Sequence, residues 1–269
     1  MSQILKSLHG SQIGLDKDGL LVVPAGYKAG THGKQIDFPS PSKVAIFDDF
    51  LGGTLAYGTT LVEPWRSRVG TTNAVAFTRT GAVGGTAVGT IGDTTASMAV
   101  SGVQIDSGLN WKANQGALAF EARIKLSAIT NIAVYLGFTD QVGALEMPIH
   151  SAASANTITT NASDGVGFFF DTSMSDDNWW VAGVAANTDA THEDLATAPT
   201  ANAYETFRIE LDTSGAAVFY RNGNLIGSKM SGAVTATVAL TPVVAGFNRT
   251  TSGTPTITLD YLHVSGNRG

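Results

Sequence analysis

The sequence predicts an all-β fold, a two-sheet antiparallel sandwich preceded by an extended N-terminal arm. Three observations carry this. Residues 118–126 alternate strictly: Leu118, Phe120, Ala122, Ile124 and Leu126 share one parity, and Glu121, Arg123 and Lys125 the other. Successive side chains of a strand point to opposite faces, so this segment has one apolar and one charged face. Similar short runs recur along the chain between turn residues, with no helical period between them. Composition agrees: 31 of the 269 residues are glycine and only 14% are charged, a balance suited to turns and sheets rather than helical bundles.

Residues 1–43 form the arm and linker. Ser11 to Pro24 predicts one short hairpin turning at Asp18-Gly19, and Ala25 to Lys34 reads as loop. Pro39 and Pro41 lack amide donors and push their predecessors extended, so Phe38–Lys43 is neither helix nor central strand. Five lysines against three aspartates give the arm a net +2, which leaves −8 for residues 44–269 out of −6 overall. Ile4, Leu5, Leu8, Ile13, Leu15 and Leu21 supply apolar content that a solvating tail would not need. With Lys28 and Lys34 as charged contacts, the arm is expected to dock on a partner; the alternative is a disordered start that merely solvates.

The body, residues 44–269, opens at Val44–Leu51, and Trp65 and Phe77 lie in strand-like surroundings. Gly81–Gly92 is glycine-rich but lacks a phosphate-cradling spacing followed by a helix, so it reads as turn and strand. Ala96–Val103 reads as another strand. Leu118–Leu126 and Ile132–Phe138, joined by five residues, predict an antiparallel hairpin with Phe120, Ile124, Val134 and Leu136 buried between the sheets. His150–Asn161 is polar and reads as a loop or lid. Gly165–Asp171 puts Val166, Phe168 and Phe170 on one face, Asn178–Val184 follows, and Thr206–Leu211 alternates cleanly. In the hairpin Ala216–Gly227, Asn222-Gly223 suits the positive φ angles of a type I′ turn. Val234–Phe247 and Thr256–Val264 close the sandwich.

Phe120–Leu126, the Phe219–Gly227 hairpin and the closing strand Leu259–Val264 together resemble the concanavalin A-like jelly roll of lectin and laminin-G domains. Phe-Asp-Asp-Phe-Leu-Gly at Phe47–Gly52 and Gly-Phe-Thr-Asp at Gly137–Asp140 are similar to segments of tailed-bacteriophage virion structural proteins. That resemblance covers roughly residues 44–266. It implies a non-enzymatic capsid decoration or head-surface protein made in the host bacterial cytoplasm. Its partners would be the major capsid protein and further copies of itself, a trimer for instance. A glycan-binding module for host adsorption and a tail or baseplate component are the alternatives.

Other classes find little in the residues. There is no cysteine, so neither disulfides nor thiolate metal sites form. The net charge argues against nucleic acid. No apolar run approaches the ~20 residues of a spanning helix, and the first nine residues hold none of signal-peptide length. Glycoside hydrolases of the resembled fold set paired carboxylates on one strand, as Glu-x-Asp-x-x-Glu or Glu-x-Asp-x-Glu; neither spacing occurs, and Arg123 stands where the aspartate would be. Asp140, Asp171, Asp176 and Asp177 are oxygen donors of the calcium-binding kind but read as ordinary loop carboxylates. His192-Glu193-Asp194 lacks a partner histidine at zinc spacing, and no Gly-x-Ser-x-Gly elbow appears. No cofactor or metal is therefore expected. Trp179 and Trp180 point to opposite faces of one strand, so one belongs to the core and the other is a candidate for stacking on a glycan.

Overall fold

A computed structural model of the chain describes residues 4–6, 12–15, 21–22, 43–51, 56–57, 64–93, 97–152 and 156–268. The chain divides into two units, Met1–Ser40 and Pro41–Gly269. The first holds β1 (Ile4–Lys6), β2 (Gln12–Leu15) and β3 (Leu21–Val22) in one antiparallel sheet. Leu15 pairs with Leu21 and Gly14 with Val22, so the expected hairpin is present. Leu5 pairs with Ile13, which adds a third strand to it. The Asp18-Gly19 turn, Leu8, Lys28, Lys34 and the Pro39/Pro41 linker lie outside the described residues.

The second unit contains β4 (Lys43–Asp48), β5 (Ala56–Tyr57), β6 (Arg66–Val69), β7 (Val75–Arg79), β8 (Ala87–Thr90), the single helical turn α1 (Met98–Ser101), β9 (Val103–Asp106), β10 (Leu118–Leu126) and β11 (Ile132–Thr139). It continues with β12 (Ile149–Ser151), β13 (Ile158–Thr160), β14 (Gly165–Asp171), β15 (Trp179–Ala185), β16 (Thr188–Asp189), β17 (Glu193–Asp194), β18 (Tyr204–Leu211), β19 (Ala217–Arg221), β20 (Asn224–Met230), β21 (Thr241–Asn248) and β22 (Thr256–Asn267). Among the described residues no helix is long and apolar enough to cross a membrane.

Two sheets make the sandwich. An eight-stranded sheet runs β20-β19-β18-β10-β22-β8-β7, with β4 also beside β22; a nine-stranded sheet runs β16-β15-β14-β11-β21-β9-β6-β5, with β17 beside β15. Among the described residues only β5 and β6 pair in parallel. The long strand β22 carries β10 along one edge, while its other edge pairs first with β8 and then with β4. Phe120 of β10 meets Phe138 of β11 edge-on at 5.9 Å across the sheets, and Phe168 of β14 meets Phe207 at 5.0 Å and Phe219 at 5.4 Å. Phe120, Ile124, Val134 and Leu136 are all buried in this core, as the alternation predicts.

Two expectations are corrected. β10 and β11 are not a hairpin: β10 pairs with β18 and β22, and β11 with β14 and β21 in the opposite sheet. The five-residue link is a crossover between sheets, entered at Asn131 with φ 58°. The physical reason lies in β11, whose second parity, Ala133, Tyr135, Gly137 and Thr139, is as buried as its first; a hairpin neighbour of β10 would expose that parity beside Glu121 and Arg123. Ala96–Val103 is likewise not one strand. Its Ser97–Gly102 part makes one helical turn, with the amides of Ser101 and Gly102 donating to the carbonyls of Ser97 and Met98, and the strand starts at Val103.

The opening motif acts as a corner. Asp48 accepts the Phe50 amide at 2.7 Å and holds Arg79 at 2.9 Å, and Phe50, at φ 59°, turns into the core. Asn222 and Gly223, at φ 51° and 81°, form the primed turn expected between β19 and β20.

Because Phe120 is fully buried between the sheets, Phe120→Ala should destabilise the body by roughly 3–5 kcal/mol, as large aromatic truncations do. Reversible chemical denaturation measures this, and a loss below about 1 kcal/mol would contradict the inward placement.

Candidate functional site

The two outward faces of the sandwich differ in kind. On the nine-stranded sheet, Arg68, Gln104, Ala245, Tyr135, Phe169 and Trp180 stand in one cross-strand row, and Arg66, Asp106, Val243, Gly137, Gly167 and Ala182 in the next. The Tyr135 ring lies over Gly167: a Cβ there would come within 2.7 Å of the ring and 2.5 Å of the Leu136 carbonyl oxygen. The Tyr135 hydroxyl donates to the Phe138 carbonyl at 2.8 Å, and burial, with Asp140 adding, pushes its pKa well above the ordinary phenol value.

Residues 141–152 and 156–163, including the β12–β13 pair, cover this face. Met147, Ile149 and Ala162 pack with Tyr135, Phe169, Trp180 and Phe247 into a second apolar layer. Polar clamps hold the cover down. The Arg68 guanidinium donates to the carbonyls of Val142 and Ala144 while lying against Asp106, itself bound by Arg66 and Gln104. Asp171 accepts the Ser151 amide at 2.8 Å and pairs with Arg249, whose Nε lies 2.8 Å away. His150 places Nδ1 2.7 Å from the Ser151 carbonyl and 3.4 Å from Arg249 Nη2, so its Nδ1–H donates to that carbonyl. The lid expected at His150–Asn161 is thus a hairpin closed over an aromatic floor.

The candidate residues from sequence do not converge. Trp179 is fully buried between the sheets, donating Nε1–H to Glu205 at 3.2 Å with its ring 4.5 Å from Phe207. Trp180 is only 4% exposed, stacked on Phe169 beneath the cover with His192 alongside. Neither indole offers a face to a sugar, because the second face of β15 is covered as well as the first. Asp140 accepts the Ser163 amide, Asp171 serves Arg249, and Asp176 accepts from Asn156. His192 contacts the Asn156 carbonyl, Glu193 accepts the Ser228 amide and Asp194 accepts from Asn178, so this triplet faces three different partners. The arm residues Ile4, Leu5, Ile13, Leu15 and Leu21 lie on β1–β3, and their side chains are outside the described ones.

The eight-stranded sheet leaves its outer face open. Phe47, His263, Glu121, Arg208, Tyr220 and Leu225 form one row across five ladders. Phe47 and Leu225, at its two ends, are 59% and 65% exposed. The Phe47 ring lies 5.7 Å from Tyr261 and 6.3 Å from His263. Tyr261 donates its hydroxyl to Glu121 at 2.7 Å, and burial first, then Glu121, raises its pKa. Arg208 bridges Glu121 at 3.2 Å and Glu210 at 2.6 Å, while Arg123 pairs with Asp260 and stacks over Tyr204 at 4.5 Å. Sequence reasoning missed this aromatic platform, although one signal was there: Phe47 shares the parity of Lys43 and Ala45 in an edge strand. The carboxylates of this face come one per strand from β10, β18 and β22, each already accepting from an arginine.

No family model and no curated protein sequence matches the chain. Solved structures do. A Bacillus licheniformis β-glucanase is 13% identical, with 82% of this chain and 97% of that one covered at a TM-score of 0.52. A prokaryotic β-1,3-1,4-glucanase (lichenase) derived from a mouse hindgut metagenome is 11% identical, covering 82% and 98% at 0.54. An immunostimulatory antigen and pseudo β-1,3-glucanase of Mycobacterium tuberculosis is 13% identical, covering 83% and 98% at 0.52. These likenesses are of fold: the body is a concanavalin A-like jelly roll.

Two outcomes follow. Gly167→Ala must displace both the Tyr135 ring and a strand carbonyl, so it should lower stability by about 1–3 kcal/mol; an unchanged unfolding midpoint would refute that packing. Burial pushes the His150 pKa below its ordinary value, opposed by the Ser151 carbonyl, reinforced by Arg249 and opposed again by Asp171. With the folded pKa below the unfolded value of about 6.5, the neutral form is the one folding favours. Its stabilisation is present above the unfolded pKa and is lost as pH falls through the folded one. From about pH 7.5 to 5, the melting temperature of wild type should therefore fall more than that of His150→Asn; parallel curves would show that His150 does not contribute.

Proposed function

We propose that the chain is a non-enzymatic structural protein of a tailed-bacteriophage virion, decorating or cementing the capsid surface. Residues 1–43 attach it to the shell and the jelly-roll body is displayed outward. The observation that carries this reading is the division of the chain into a small N-terminal unit, Met1–Ser40, and a sandwich with a core of its own. The phage-like segments add to it, since Asp48 and Phe50 of the first build the corner that starts the body. A non-catalytic role is supported by both faces. One is closed by its own chain over apolar and aromatic side chains, and the carboxylates of the other are acceptors for Arg123 and Arg208. The partners proposed are the major capsid protein and neighbouring copies of the chain.

A second reading, adhesion to host surface glycans, is favoured by the exposed Phe47 ring with Tyr261, His263 and the acceptor Glu121 beside it. Aromatic faces with nearby polar groups suit the apolar face and hydroxyl rim of a sugar ring.

Limited proteolysis separates the proposed roles. Cleavage between Lys34 and Lys43 should leave a stable body starting near residue 44, and that body should not reattach to particles stripped of decoration. Rebinding of the trimmed body with undiminished affinity would remove the arm as anchor and favour the adhesion reading.

A further inference from the structure

The open face of the eight-stranded sheet spans six strands in the order β20-β19-β18-β10-β22-β4. At about 4.8 Å per strand it is roughly 25 Å wide, and Ala119–Lys125 of β10 makes it roughly 20 Å long. The patch is on the order of 500 Å² in plan, and more in accessible surface because side chains stand out of it. A specific interface takes about 600–1,000 Å² from each partner. The residues are also of the right kind. Phe47, Tyr204, Tyr220, Tyr261, Arg123 and Arg208 share this face, and aromatic residues and arginine concentrate at the centres of protein interfaces.

Charge points to the same surface. The body carries −8, so two bodies repel across most of their exteriors. At the centre of this face Arg123, Lys125 and Arg208 balance Glu121, Glu210 and Asp260. The ion pairs are made within one copy, so covering them strands no charge without a partner.

The order of side chains along the central row decides what fits. It runs Phe47, His263, Glu121, Arg208, Tyr220, Leu225, with its midpoint between β10 and β18. A two-fold axis through that midpoint, parallel to the strands, reverses the row in a second copy stacked on the first. Phe47 then meets the partner's Leu225, His263 the partner's Tyr220, and Glu121 the partner's Arg208. On the flanking ladders Lys125 meets the partner's Tyr204, and Arg123 the partner's Thr206. Apolar groups face apolar groups, opposite charges face each other, and like charges do not.

We infer that the outer face of the eight-stranded sheet is a self-complementary docking surface for a second copy of this chain, related by a two-fold axis between β10 and β18. Stacking of two sheets with nearly aligned strands is an ordinary way to bury such faces. The inference gives a surface to the contact between copies in the proposed function, and it needs neither the arm nor a shell.

Sedimentation equilibrium of the full chain over a wide dilution series tests it, with no particle present, so the result is separate from the attachment of the arm. The wild type should reach a dimer. Phe47→Lys and Leu225→Glu should each weaken dimerisation by about ten-fold or more, with unchanged unfolding midpoints, because both side chains are largely exposed. Combined in one chain, the two changes place a cation opposite a carboxylate across the axis twice, and the dimer should recover. Leu109→Glu, at an exposed leucine that follows β9 of the other sheet, should change nothing. If a charged variant lowers the midpoint, Phe47→Thr and Leu225→Thr should weaken the dimer in the same way. A chain that stays monomeric into the millimolar range leaves the face to some other partner and overturns the inference. So does an assembly that neither single change weakens, or one that both weaken and the combination does not restore.

Discussion

The body depends on a strand with no polar face. Every residue of β11 is buried, and its two parities are both apolar or small. A strand of that kind must be covered twice: Val134, Leu136 and Phe138 meet the eight-stranded sheet, and Tyr135 requires a second cover on the other side. The chain supplies that cover from residues 141–152 and 156–163, which follow β11. The buried ionic groups of this face then have a clear purpose. Desolvating Asp106, Arg66 and Arg68 is expensive unless each is paired and hydrogen-bonded, and the pairing is arranged so that the guanidinium of Arg68 also grips the cover's backbone. Asp171 and Arg249 do the same at the far end with Ser151. Gly167 leaves the room that the Tyr135 ring occupies.

The contrast between the faces bears on function. One of the two outward sheet faces is interior, covered by the chain itself. What remains available is the ionic and aromatic ladder of the eight-stranded sheet and the loops at the ends. The ion pairs of that ladder are partly buried, Arg208 bridging Glu121 and Glu210. Its edge is also guarded: Glu193 reaches from β17 to occupy the Ser228 amide on β20, the outermost strand, a group that would otherwise invite another chain to add a strand.

Much of this was legible in the residues. The alternation of Leu118–Leu126, the apolar face of Gly165–Asp171 and the Asn222-Gly223 turn each rest on local geometry, and local geometry is what a sequence states directly. The β10–β11 relation was not legible from link length, because five residues serve an in-sheet hairpin and a crossover equally well. The discriminating signal was subtler: β10 carries Glu121, Arg123 and Lys125 on its second parity, whereas β11 carries Ala133, Tyr135 and Gly137 there. Trp180 misled for the same reason, since a strand's outer face is solvent only if nothing folds over it.

The position of β22 has a consequence for how the protein reaches this state. Its ladder partners β10, β8 and β4 all precede it in the chain. Until β22 arrives, the eight-stranded sheet exists as three parts, β20-β19-β18-β10, β8-β7 and β4 alone, and the apolar face of β10 has no complete sheet to stand in. Pairings this distant in sequence make assembly slow, and apolar surface and strand edges left unpaired meanwhile are prone to aggregation. The final strand acts as a wedge that locks the sheet, and the same topology works in reverse. Removing β22 from the finished molecule means breaking ladders on both its edges at once, so a sandwich that is slow to close is also slow to come apart.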